Sequence, residues 1–143
     1  MNVRPYQSAA GVAFGSSEAE AVSLLGPPLA RKVDSQKKVE LEYRDAVFRF
    51  SPEEGSLIEA TLSSEYFEIE GCSLPRKEPA EVAFVELGYV VAKLDPASFS
   101  SVGFVVSPAF GLAFDPHHAS HLTVFARSEL AFWTALRDRS SKS

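Results

Sequence analysis

Three histidines lie close together in the order His117-His118-x-x-His121. Histidine is a frequent metal ligand, so this cluster is the first candidate for chemistry. A zinc site needs its nitrogens about 2 Å from one point, in a tetrahedral array. His117 and His118 fall in a predicted turn, where successive side chains diverge. The spacing is also not the His-Glu-x-x-His of a metal-binding helix. A solvated polar turn accounts for the pattern. His117, His118 and His121 therefore stand only as an alternative site for a metal or a small molecule, and no cofactor is expected.

The other reactive residue types are placed no better. Cys72 follows Gly71 in an apolar context, and the lone cysteine suits a small core position. The serines form no Gly-x-Ser-x-Gly elbow. Gly11, Gly15 and Gly26 lack the spacing of a phosphate-cradling loop. The carboxylate pairs Glu53-Glu54 and Glu18 with Glu20 are explained by a turn and a helix cap. No catalytic residue is assigned, and the balance is against an enzyme.

The elements that would hold any site can be read from patterning. Ser17 and Glu20 form a capping box ahead of a helix that reaches about Leu25. Gly26 supplies a left-handed stop, and Pro27-Pro28 forbids continuation. Strands are expected at 37–43, 46–51, 57–63 and 65–70. A second helix runs from about Pro79 to Leu87, with Gly88 ending it. Strands follow at 101–106, 110–115 and 121–126. Ser128 is a suitable cap for a last helix over about 128–138, with Trp133 as its packing anchor. The tail beyond Arg139 has nothing to bury and is expected to fray.

The two halves resemble each other. Phe50-Ser51-Pro52 and Phe114-Asp115-Pro116 lie 64 residues apart and share the order strand, turn, strand. Val39, Leu41 and Tyr43 align with Val102, Phe104 and Val106, and Leu25-Gly26 with Leu87-Gly88. Lys32-Val33-Asp34 aligns with Lys93-Leu94-Asp95, and Gly11-Val12 with Gly71-Cys72. The offsets stay between 60 and 64. The fold class is therefore α+β: two tandem repeats, about 11–70 and 71–126, each a helix followed by antiparallel strands. They are expected to join into one sheet within a single domain spanning 1–143, with the helices on one face and a C-terminal helix added.

Composition sets the outer limits. The chain has 143 residues, 45% of them hydrophobic and 23% charged, which is ordinary for a globular domain. A net charge of −5 lacks the basic face that nucleic acid requires. No run approaches the length of a membrane span. Met1 to Ala10 has no signal-peptide pattern, so a soluble, cytoplasmic protein is expected.

The order Gly11-Val12, Ser17-Glu18-Ala19-Glu20, Leu24-Leu25-Gly26-Pro27-Pro28, Tyr43, then Phe50 and Gly55-Ser56-Leu57-Ile58 resembles a recurrent bacterial unit. That unit occurs twice in β-lactamase inhibitory protein and once in small lipoproteins of the outer-membrane assembly machinery. It also resembles uncharacterised cytosolic proteins, some of them candidate immunity proteins of toxin systems. The resemblance implies a protein-binding module that acts through a sheet face. The chain departs from the exported members: it lacks a lipoprotein cysteine near the start and the inhibitor's cysteine pairs. Inhibition of a β-lactamase is therefore not carried over.

Alternation then predicts the binding face. Phe48, Phe50, Ile58, Ala60, Phe67 and Ile69 point under the helices. Glu40, Glu42, Arg49, Glu59, Thr61, Tyr66, Glu68 and Glu70 point outward, as do Val105, Thr123 and Phe125 of the second half. The candidate binding residues are Glu40, Glu42, Arg49, Glu59, Tyr66, Glu68 and Phe125. An acidic surface suits a basic, toxin-like protein partner. Aromatic anchors would be Tyr66 and Phe125. Self-association as a homodimer is the remaining reading of the same face.

Overall fold

The computed structural model describes residues 1–64, 67–72, 80–101, 103–117 and 121–141. The chain opens with three short strands, β1 (Asn2–Arg4), β2 (Ser8–Ala9) and β3 (Val12–Ala13). The helix α1 (Glu18–Leu25) follows, capped as its sequence predicts. The Glu20 amide donates to Ser17 Oγ and the Ser17 amide to Glu20 Oε1, both at 3.1 Å. Gly26 takes φ +85°, strained for any side chain, and its amide donates back to the Val22 carbonyl.

A meander comes next: β4 (Ala30–Val33), β5 (Val39–Glu42), β6 (Ala46–Phe50) and β7 (Leu57–Ser63). After β8 (Glu68–Ile69) and the helix α2 (Ala80–Leu94), a second meander repeats the layout. It consists of β9 (Phe99–Ser101), β10 (Phe104–Ser107), β11 (Leu112–Phe114) and β12 (His121–Phe125). A 3₁₀ turn (Arg127–Glu129) leads into α3 (Leu130–Ser141). The fold is α+β and mostly antiparallel. Among the described residues no helix is long and apolar enough to cross a membrane.

The strands form two sheets rather than the single one expected. The larger has the order β4-β5-β6-β7-β12-β11-β10-β9, antiparallel throughout. The smaller has the order β3-β2-β1-β8, with β8 parallel to β1. The physical reason is edge supply. β7 already has β6 on one side and β12 on the other, so the chain leaving β7 finds no free edge there. It pairs instead with β1, where Ile69 lies opposite Val3 and both are buried.

One face of the large sheet carries Leu41, Phe48, Ala60, Leu62, Val124, Leu112 and Phe114. It packs with Ala21 of α1, Leu87 and Val91 of α2, and Val3, Ala9 and Val12 of the small sheet. The opposite face carries a separate cluster of Val106, Ala113 and Phe125, covered by Leu130 and Trp133 of α3 with Tyr6 and Phe99. The helices therefore lie on both faces, not one. Trp133 is the packing anchor that its sequence predicts.

Other expectations are corrected. Gly88 does not end α2, which continues to Leu94 because Leu87 and Val91 are both buried on the sheet. Lys93-Leu94 is thus helical whereas Lys32-Val33 is strand, so that pair of the repeat alignment fails. Ser128 sits inside the 3₁₀ turn and does not cap α3, which runs on to Ser141, beyond the expected frayed end. Ile58 is buried at a bulge, since Leu57 opposes Phe50 and Glu59 opposes Arg49. It lines a hollow with Lys38, Ser51 and Glu129 instead of joining the core beneath the helices.

Candidate binding face

Strand register places Lys32, Glu40, Arg49, Glu59 and Phe125 in one row across β4, β5, β6, β7 and β12. The neighbouring row holds Glu42, Val47, Thr61, Thr123, Ala113, Val106 and Phe99. Side chains alternate across a pleated strand, so both rows share the face away from α1. Four predicted residues, Glu40, Glu42, Arg49 and Glu59, are brought together here.

Arg49 is the hub. Its Nε donates to Glu40 Oε1 at 3.2 Å, and its Nη1 donates to Glu59 Oε2 at 3.1 Å and Thr61 Oγ1 at 2.9 Å. The Thr61 hydroxyl lies 3.2 Å from that of Thr123, which extends the network onto β12. Lys32 pairs with Glu42 at 2.9 Å. Side-chain exposures of 23% for Arg49 and Glu40 and 16% for Glu59 leave solvent partial access. Burial pushes the Glu59 carboxyl above its ordinary range, while the Arg49 and Lys38 charges pull it back. With Glu129, whose charge opposes theirs at Glu59, four carboxylates (Glu40, Glu42, Glu59 and Glu129) thus meet three cations (Lys32, Lys38 and Arg49). The face is a lattice of paired charges with a small acidic excess, not the open acidic sheet that alternation alone predicts.

Phe125 occupies the same row with a different fate. It is fully buried. Trp133 stacks on it at 5.3 Å with the rings 17° apart, and Tyr6 meets its edge at 6.1 Å. The Tyr6 hydroxyl donates to the Pro108 carbonyl, and the Arg127 guanidinium lies 4.2 Å from the Tyr6 ring centre. Gly111 makes this closure feasible. A Cβ there would meet Tyr6 Cε1 at 3.0 Å and the Phe125 carbonyl at 3.1 Å, and φ is +63°. Phe125 therefore anchors α3 and is not available to a partner.

The remaining candidates separate. Glu68 belongs to β8 of the small sheet, where its amide donates to the Met1 carbonyl, and Glu70 pairs with Arg4. Tyr66 lies outside the described residues. Val105 opposes Phe114 and packs on the side of α1 and α2, so in β10 it is Val106 that lies on the opposite face, where α3 buries it. Lys32 was missed because Ala30-Arg31-Lys32-Val33 has no apolar alternation to announce a strand.

The histidine cluster does not assemble. His121 Nδ1 lies 2.8 Å from Ser63 Oγ on β7, and the His117 amide donates to Asp115 Oδ1 in a turn. His118 lies outside the described residues. Among the described residues no group of three histidine, cysteine, aspartate or glutamate side chains could hold a metal ion. Cys72 is buried, and burial pushes its thiol up, away from the thiolate a nucleophile needs. No protein-family model, curated protein or solved structure matches this chain, so the face rests on its own residues.

Proposed function

We propose that this chain is a non-catalytic protein-binding module of the inhibitor or immunity type, working in the cytoplasm. Its recognition surface is the outer face of β4 to β7. The observation that carries the reading is the lattice around Arg49. Glu40, Arg49, Glu59, Thr61 and Thr123 are held in fixed positions by each other, on a broad face that solvent reaches. Preorganised polar groups lower the ordering cost of association. The slight acidic excess and the net charge of −5 favour a basic partner.

The tandem-repeat reading supports the same function. The order α1-β4-β5-β6-β7 recurs as α2-β9-β10-β11-β12, and the two meanders meet where β7 pairs with β12. That symmetric layout fits a duplicated unit, and the resemblance to the β-lactamase inhibitory type points to binding through a sheet face. Phe125 leaves the list of contact residues, and Thr61, Thr123 and Lys32 join it.

The test uses tagged protein, cross-linked in native lysate at low salt. A partner should be recovered with the parent chain and lost with the double variant Glu40→Lys, Glu42→Lys. It should be retained with Glu68→Lys, whose residue lies on the small sheet. Association should slow as salt rises toward physiological strength. Equal recovery by all three chains, or the face buried in a homodimer, would remove the proposal.

A further inference from the structure

Gly88 stands in the interior of α2, and packing does not require it there. Its backbone is ordinary helix, and a Cβ at this position would meet Pro116 Cβ at 3.7 Å, a normal van der Waals distance. Alanine would fit and would suit the helix better, since glycine is the least favourable interior residue after proline. A glycine that costs stability without easing a contact points to a use for the space beside it.

That space is a cleft of about 520 Å³ between α2 and the last strands of the large sheet. Ligand clefts commonly hold about 300–1,000 Å³. Gly88 and Tyr89 of α2 line one wall. Phe99 and Ser100 of β9 line the other with Val105 of β10, which opposes Ser100 and packs on the α2 side. His117 stands at the turn after β11.

The lining selects by charge and by shape. Among the described residues it contains no aspartate, glutamate, lysine or arginine. The flanking charges balance. Glu86 and Asp115 stand next to lining residues, and so does Lys93, while the Arg137 guanidinium lies 5.8 Å from the Phe99 ring centre. A charged guest would therefore lose water without gaining a countercharge. The walls offer two rings instead, Tyr89 and Phe99, with the Tyr89 and Ser100 hydroxyls and the His117 imidazole for hydrogen bonds. Tyr89 is 74% exposed, a ring that a guest would cover.

We infer that this cleft is a binding site for a neutral aromatic small molecule carrying a hydrogen-bonding group, and that Gly88 keeps it open. The site lies on the α2 side of the sheet, opposite the face proposed above, so either can fail without the other.

Amide NMR titration of the full chain tests it with three probes: naphthol, which is neutral, naphthoate, an anion, and naphthylmethylamine, a cation. Naphthol should saturate below millimolar concentration and shift the amides of Gly88, Tyr89 and Ser100. The two ions should bind at least about tenfold more weakly. Gly88→Ala should raise the urea midpoint, because the helix improves, and weaken naphthol by about threefold or more. Tyr89→Ala, at an exposed position, should keep the circular dichroism spectrum and weaken naphthol by about tenfold. The double variant Glu40→Lys, Glu42→Lys should bind naphthol as the parent does. No saturation by millimolar naphthol, shifts confined to other parts of the chain, or equal binding of the ions would each overturn the inference. So would a Gly88→Ala variant that binds naphthol unchanged, or one with a lower urea midpoint, which would show that packing does need the glycine.

Discussion

Glu59 and Phe125 stand opposite each other on β7 and β12, in one row and on one face. Glu59 is a carboxylate that solvent still reaches, held by Arg49. Phe125 is a ring with no exposed surface, held by Trp133 and Tyr6. The two strands belong to meanders of the same layout, so the difference is not one of sheet geometry. It comes from where the chain goes next. After β7 it joins the small sheet as β8. After β12 it turns back as α3 and covers the outer face. A pleated face stays open or closes according to the segment that follows it, and its side chains match that outcome.

The strongest way to break this comparison is to remove the ring that anchors the closed half. Phe125→Ala should cost about 4 kcal/mol, the usual loss for a buried aromatic truncated in a packed core. Val47→Ala, a half-buried apolar residue on the open half of the face, should cost about 1 kcal/mol. Urea unfolding of the two variants measures both. A loss below about 1 kcal/mol at Phe125 would mean that α3 does not close this half in solution.

Which half closes was not legible in the sequence, although most elements were. The capping box at Ser17 and Glu20 and the stop at Gly26 were readable because they are local hydrogen-bond and backbone devices. Gly88 misled for the converse reason. A glycine inside a helix costs about 1 kcal/mol, and burial of Leu87 and Val91 outweighs that. Alternation placed Glu40, Glu42, Arg49 and Glu59 correctly on one face because each lies in a strand of clear period. It put Phe125 on the same face correctly but could not show that Trp133 returns to cover it, since that contact is made between elements. Glu68 was misplaced because a two-residue strand can pair with any free edge, and its partner β1 lies 66 residues away (Asn2 to Glu68). Phe50 and Phe114, the clearest pair of the expected repeat, each end the third strand of a meander, which is a likeness of layout only.

A second comparison is sharper still, because the letters match and the roles do not. Asp34 and Asp95 both follow a lysine and an apolar residue, and both accept the amide two positions on. Asp34 closes an exposed hairpin turn, accepting from Gln36 at 2.8 Å and Lys38 at 2.9 Å. Asp95 is buried and also accepts from the Ser107 hydroxyl at 2.7 Å and the Ala109 amide at 3.0 Å. It thereby ties the end of α2 to the β10–β11 turn. Asp95→Ala would leave those donors without an acceptor away from water and should cost about 2–3 kcal/mol. Asp34→Ala should cost about 0.5–1 kcal/mol, since water replaces the lost bonds. Thermal or urea unfolding of the pair checks this. Equal losses would show that burial does not separate the two aspartates.

The smallest expected effect is the most specific to the open half. Burial raises the Glu59 carboxyl above its ordinary value of 4.5, against the pull of Arg49 and Lys38. A folded state that holds the proton more tightly than the unfolded chain loses stability as pH rises. Below 4.5 both states are protonated and the contribution is fully present. As pH climbs past that value the unfolded chain ionises first, and the contribution falls until the folded carboxyl has ionised too. Glu59→Gln removes the titration and keeps an oxygen for Arg49. The stability of Glu59→Gln relative to the parent should therefore rise as the pH climbs above 4.5, measured by urea unfolding at each pH. A difference that falls over the same range would mean that the Arg49 charge outweighs burial at this position. The open half would then be held by ion pairing, just as the closed half is held by aromatic packing.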